Sequence, residues 1–154
     1  MSLGIDFFLH GGIFAAIYVQ ESPFLLSGIE AFRRIPLGYI GLLVTSGLLV
    51  WIIDKTTEKG WRKGLVMGLS LGFVMGGSSA LGLYSISTAR LQFIGVWFIA
   101  QVIEFTIAGA IISQGFLNQS LRRITSAVII GFILLIVVTI VLQNVGLAPS
   151  IMMS

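Results

Sequence analysis

The chain contains no cysteine, which removes disulfides, thiolate metal ligands and thiol chemistry together. It is also short of charge: 10% of its 154 residues are Asp, Glu, Lys or Arg, against 56% that are hydrophobic. A soluble domain of this length needs more charge to cover its surface, so the composition belongs to the membrane class. The mean hydropathy of +1.05 agrees. There is a single histidine. A Ser–His–Asp triad would then rest on chance contact, and no GxSxG turn accompanies the serines. No HExxH or paired-histidine spacing announces a metal, and a bis-histidine haem would need one His10 from each of two chains. The reading leans away from an enzyme and implies no metal and no cofactor. The net charge of +3 and pI near 9.7 do not indicate nucleic acid. The nine Lys and Arg residues sit in short loops between apolar runs, with no basic face to follow a phosphate backbone. The start, "MSLGIDFFLHGG", has no basic n-region and carries Asp6, so no cleavable signal peptide is expected.

What is abundant is long apolar sequence. Runs between polar breaks predict five spans in one transmembrane domain of residues 1–154: 3–20, 37–53, 64–83, 93–113 and 124–143. An α-helical crossing needs about 20 residues. Asp6, His10, Gly11 and Gly12 dilute the first run, which a helix facing protein on one side tolerates. The break "ESPFLLSGIEAFRRIP" differs from the other loops. Ser22 can cap a helix with Pro23 at its first position, and Leu25, Ile29 and Phe32 recur at helical spacing. That pattern predicts a short amphipathic surface helix over 23–34, ended by Pro36. The expected fold is all-α: a bundle of five transmembrane helices with this surface helix after the first.

Orientation follows from the basic residues. Lys55, Lys59, Arg62 and Lys63 share one loop, and Arg122 and Arg123 share another two spans later. These six lie on one side, with Arg33, Arg34 and Arg90 on the other. The positive-inside rule makes the richer side cytoplasmic. A multi-pass protein of the inner cell membrane is implied, with the N-terminus cytoplasmic and the C-terminus outside.

Two patterns carry the functional question. In "GLVMGLSLGFVMGGSSALG", Gly64, Gly68, Gly72 and Gly76 recur every fourth residue, lining one helix face where another backbone can approach closely. This is a packing signal, within the bundle or between subunits. No GK[ST] follows, so it is not a phosphate loop. The fourth span, "WFIAQVIEFTIAGAII", carries Glu104 at its centre. A central acidic residue costs about 2.5–3.5 kcal/mol to insert, so Glu104 should face the bundle. Gln101 and Trp97 precede it at helical spacing, and Asp6 precedes His10 by one turn. At about 1.5 Å per residue, His10 and Glu104 fall roughly 10 and 13 Å from the same membrane face. If the two helices touch, Asp6, His10, Glu104 and Gln101 form a discontinuous polar ladder. Such a cluster is a proton or cation site or a satisfied polar contact that fixes helix packing. As a metal site, Asp, His and Glu are plausible ligands, but they sit on two helices without a metal-binding spacing.

The order "DFFLHGGIFAAIY", "PLGY", "GLVMGLSLGFVMGGSSALGLYSI", "WFIAQVIEFTIAGAII" resembles small bacterial polytopic membrane proteins of uncharacterised families. These place a His-Gly pair and a Tyr in the first helix, glycines at regular spacing in the third, and Trp-Phe followed by an acidic or amide residue in the fourth. The resemblance covers roughly residues 5–114, implies the first span, and brings no activity. Two function classes stay open. One is a small proton- or cation-linked transporter or channel, acting as a homo-oligomer because five short spans enclose little volume. The other is an accessory or structural subunit of a larger membrane complex, docked through its glycine face. In both the bilayer is a partner.

Overall fold

The structure, a computed structural model, describes residues 1–18, 20, 24, 26, 28–117 and 121–149. Every regular element among them is helical: α1 (Ser2–Phe8), a π-turn (Leu9–Ile13), α2 (Ala15–Tyr18), α3 (Gly28–Asp54), α4 (Trp61–Ile86), α5 (Leu91–Leu117) and α6 (Leu121–Asn144). Four of these are long and apolar enough to cross a membrane: α4, α5, and the stretches Arg33–Asp54 of α3 and Arg122–Asn144 of α6. The chain is a membrane protein on that ground. Their ends run past the apolar windows expected from sequence, because helical hydrogen bonding continues into polar residues until a turn stops it.

Two expectations are corrected. The span 3–20 is not one regular helix. It is α1, the π-turn and α2 in succession, too short and broken to join the four long helices. Nor does Pro36 end a separate surface helix over 23–34. From Gly28 onward that stretch is part of α3, with Pro36 in its interior; residues 23, 25 and 27 lie outside the described ones. A proline inside a helix removes one backbone N–H and leaves the carbonyl four residues back unpaired. The carbonyl concerned is that of residue 32, next to Arg33 and Arg34 at the polar end of the span, and the helix continues.

The core is organised on α5, which contacts each of the other α-helices. One third of its apolar window is buried (33%), against 6% for α3 and for α6, so α5 is central and the other two are peripheral. Leu49 and Ile53 of α3 pack with Phe105 and Ala108 of α5. Ile5 and Leu9 meet Ala100, and Phe93 gathers Ile17, Tyr18 and Phe24. These contacts also set direction. α4 opposes α5, since Gly64 lies on Gly109 and Gly76 on Gln101. The first segment opposes α5 as well, with Asp6 near Glu104 and Tyr18 against Phe93. It runs parallel to α6, because Gly4 meets Phe132 and Gly11 meets Thr139. Successive segments therefore alternate in direction.

Gly64, Gly68, Gly72 and Gly76 are all buried, on the face that meets α5. A Cβ at Gly64 would run into the Gly109 carbonyl oxygen, and one at Gly68 into the Phe105 carbonyl oxygen. Gly109 answers from the other side, where a Cβ would strike the Gly64 carbonyl oxygen. The two backbones touch, which is the close approach that small residues permit in lipid.

The turn between α3 and α4 closes this hairpin. Lys59 Nζ donates to the Asp54 carbonyl at 2.8 Å and also to that of Ile53, satisfying the last carbonyls of α3 with a cation. Gly60 has φ of 129°, a conformation open to glycine, and its N–H donates to Ser113 Oγ at 2.9 Å. Lys63 pairs with Glu58 at 2.6 Å, and this bond holds the Glu58 carboxyl below its usual range. That contribution is present at neutral pH, fades as pH falls through the lowered folded-state value, and is screened by salt.

Gly68→Ala should destabilise the fold by about 2–3 kcal/mol, because backbone atoms cannot yield as a side chain would. Gly41→Ala, with no atom within 4 Å of its would-be Cβ, should leave stability unchanged or raise it by up to about 1 kcal/mol. Denaturant titration in mixed micelles measures both, and equal effects would contradict the described packing.

Candidate functional site

The first segment is shaped around two glycines. At Leu9–Ile13 the helix widens into a π-turn, with the Phe14 N–H bonded to the Leu9 carbonyl at 2.8 Å. Such turns leave a carbonyl free and recur at functional sites. Here Gly11 and Gly12 lie against α6, both beside Thr139 and Gly11 also beside Gln143. Gln143 Nε2 donates to the Gly11 carbonyl at 2.8 Å. Thr139 is fully buried and returns its hydroxyl to the Leu135 carbonyl at 2.8 Å. The irregular backbone is thus satisfied from the neighbouring helix, as a low-dielectric interior requires.

On the opposite side of this segment the ionisable residues converge. Asp6 and His10, one turn apart, pair at 3.4 Å between Oδ1 and Nε2. Glu104 comes from α5 and is 4% exposed. One ligand-type atom from each of Asp6, His10 and Glu104 can be chosen so that all lie within 4.8 Å of one another. The structure therefore brings together three of the four polar residues singled out in the sequence, from two separate segments.

It does not bring in the fourth. Gln101 turns toward α4, where its Oε1 would sit 3.2 Å from a Cβ at Gly76, and the ladder stops at Glu104. The reason is angular. A three-residue step falls about 60° short of a full helical turn, enough to place Gln101 on the α4 side of α5 while Glu104 faces the first segment. Trp97 is 38% exposed and packs on Phe93 at 6.0 Å.

Tyr18 is a site residue that the sequence reading did not pick out. Its ring stands edge-on to His10 with centroids 4.8 Å apart, and its other edge meets Phe93 at 5.2 Å. Three buried polar atoms around this cluster have no hydrogen-bond partner among the described residues: His10 Nδ1, Tyr18 Oη and Glu104 Oε1. Glu104 also borders a small cleft between α3 and α5, of about 10 Å³, room for about one water. It is lined by Ser2, Thr45 and Ser46 and by the apolar Leu42, Leu49 and Phe105. Thr45 has its hydroxyl engaged on the Gly41 and Leu42 carbonyls, each at 3.1 Å. Chemically the cluster offers two carboxyl groups and one imidazole to a small cation.

Gln143→Leu removes the only donor described for the Gly11 carbonyl and should cost about 1 kcal/mol of stability. A denaturant titration that shows no loss would mean that this carbonyl finds a different partner. Compared with known proteins, the chain matches no family model, no curated protein and no solved structure.

Proposed function

We propose that the protein is a small proton- or cation-linked transporter or channel of the inner cell membrane that acts as an oligomer. The observation that carries the reading is the convergence of Asp6, His10 and Glu104, with buried unpartnered atoms, Glu104 also bordering a small cleft. A polar cluster that served only to lock helices together would have its atoms paired. In an apolar bundle an unpaired carboxylate oxygen is costly, and intramembrane ionisable groups mark ion routes.

In this reading Ser2–Tyr18 makes a fifth, broken crossing. Its support is that the segment packs between α5 and α6 and keeps the alternation of direction. Interrupted helices at midplane sites are a recurrent transporter device. The basic residues of the α3–α4 turn and of the start of α6 then mark the cytoplasmic side, with the N-terminus on that side and the C-terminus outside. An oligomer is proposed because the cleft at Glu104 lies between α3 and α5, and a further chain would wall it. The competing role, an accessory subunit docked through its glycine face, loses its surface: α5 of the same chain covers that face.

Reconstituted liposomes test the proposal. The wild-type chain should carry a proton or cation flux that drops at least about tenfold in Glu104→Gln, as expected when a group that contacts the ion is lost. Equal flux in the two, or none in the wild type, would refute it.

A further inference from the structure

We propose that Asp6, His10 and Glu104 together bind a divalent first-row transition cation, of the class of Zn²⁺ or Mn²⁺. This deepens the preceding reading and rests on it for the role of the ion, though binding itself can be measured without transport.

The donor set favours this class. Alkali ions, Mg²⁺ and Ca²⁺ are bound by oxygen ligands alone, whereas an imidazole nitrogen beside carboxylates suits Mn²⁺, Fe²⁺, Zn²⁺ and their neighbours. Asp6 and Glu104 share a side-chain hydrogen bond, so a proton leaves as a metal enters. Two deprotonated carboxylates with a neutral imidazole then carry a charge of about −2, which one divalent ion cancels, and a neutral assembly is what a low-dielectric interior accepts most readily.

Distances point the same way. The Asp6–His10 separation of 3.4 Å is long for a good N–H···O bond, which lies at about 2.7–3.2 Å. It matches the roughly 3.4 Å between two ligands of a tetrahedral ion whose bonds are about 2.1 Å. The full set lies within 4.8 Å, wider than the roughly 3.4 Å between ligands of such an ion. The carboxylates would turn inward by up to about 1.4 Å to close the set.

Independent of the cluster's composition, Glu104 is 4% exposed and its Oε1 is unpartnered. A buried acceptor of this kind, beside an imidazole whose Nδ1 is also unpartnered, is a ligand side waiting for a cation. Three protein ligands leave one position to water or to an exchanging group, the arrangement of an open site and not of a sealed structural one. The small cleft beside Ser2, Thr45 and Ser46 reaches Glu104, the side from which such a water would come.

The test uses the full chain in nanodiscs, stripped with chelator and titrated separately with Zn²⁺, Mn²⁺, Mg²⁺ and Ca²⁺. Bound metal is counted by mass spectrometry, and coordination is read by X-ray absorption. The expected result is one ion per chain, with Zn²⁺ or Mn²⁺ preferred over Mg²⁺ and Ca²⁺ by at least about 100-fold and one imidazole among nitrogen and oxygen ligands. Glu104→Gln and Asp6→Asn should each weaken binding by about 100-fold or more, and Glu58→Gln, in the α3–α4 turn, should not change it. Should circular dichroism show Glu104→Gln unfolded, Asp6→Asn and His10→Gln decide the matter. No saturable binding by folded wild type, equal affinity for Mg²⁺, or binding untouched by the folded ligand variants overturns the proposal. Metal binding without flux upholds this site and removes the transport reading. Flux without metal binding leaves transport standing and overturns the site.

Discussion

The direct contact of the α4 and α5 backbones is the constraint on which the rest depends. α5 touches each of the other α-helices, and an acid at its centre needs shelter from the acyl chains. Because α4 meets it through Gly64, Gly68, Gly72 and Gly76, one flank of α5 is held at backbone distance without bulky side chains. The remaining circumference is left for α3 and the first segment, and Glu104 faces that sector. Wider α4–α5 packing would leave α5 needing larger residues for support, and the sector facing the first segment would narrow.

A second consequence concerns the division of labour among helices. α3 and α6 have few buried residues in their apolar windows, 6% in each, and both contribute at single points. α3 lends Leu49 and Ile53 to the core and walls the cleft beside Glu104. α6 lends Thr139 and Gln143 to the glycines of the π-turn. Neither supplies a carboxylate or imidazole to the cluster among the described residues. The ionisable chemistry stays on the first segment and α5, and the outer helices screen and satisfy it.

Much of this was readable in the residues. Hydropathy located the four long helices, since runs such as 93–113 and 124–143 have no competing interpretation at that length. The four-residue glycine spacing indicated close packing, and matched depth placed His10 beside Glu104. What was not readable has physical reasons. Pro36 looked like a terminator because a proline disfavours helix before it, but a helix near its polar end loses one bond there and continues. Spacing alone set Gln101 beside Glu104, although a 60° offset matters when two different helices flank α5. No periodic signal marks the π-turn, because a pair of glycines is equally compatible with a regular helix, a hinge or a loop. The contribution of α6 was missed for a related reason: Thr139 and Gln143 sit near the end of an otherwise featureless apolar run.

The π-turn also explains how Tyr18 reaches the cluster. In a regular α-helix, residues eight apart are separated by about 80° around the axis. Tyr18 would then stand to one side of His10, over a different neighbour. A π-turn absorbs one extra residue, which rotates everything beyond it backward by about 100° relative to what precedes it. Phe14, at φ −102° and ψ 6°, then leaves helical geometry before α2 begins, so the π-turn and this break together bring Tyr18 over His10. The observed edge-on contact at 4.8 Å is the result. Asp6 and His10 precede the turn and keep their own register of one helical turn, so the widening adds Tyr18 to the cluster without disturbing their pair. The same distortion exposes the Gly11 carbonyl to Gln143, tying the extra residue to α6. A straight first helix would keep the Asp6–His10 pair but would lose both the aromatic edge and this anchor, so the irregularity that makes the segment a poor membrane span by itself is what assembles its polar face.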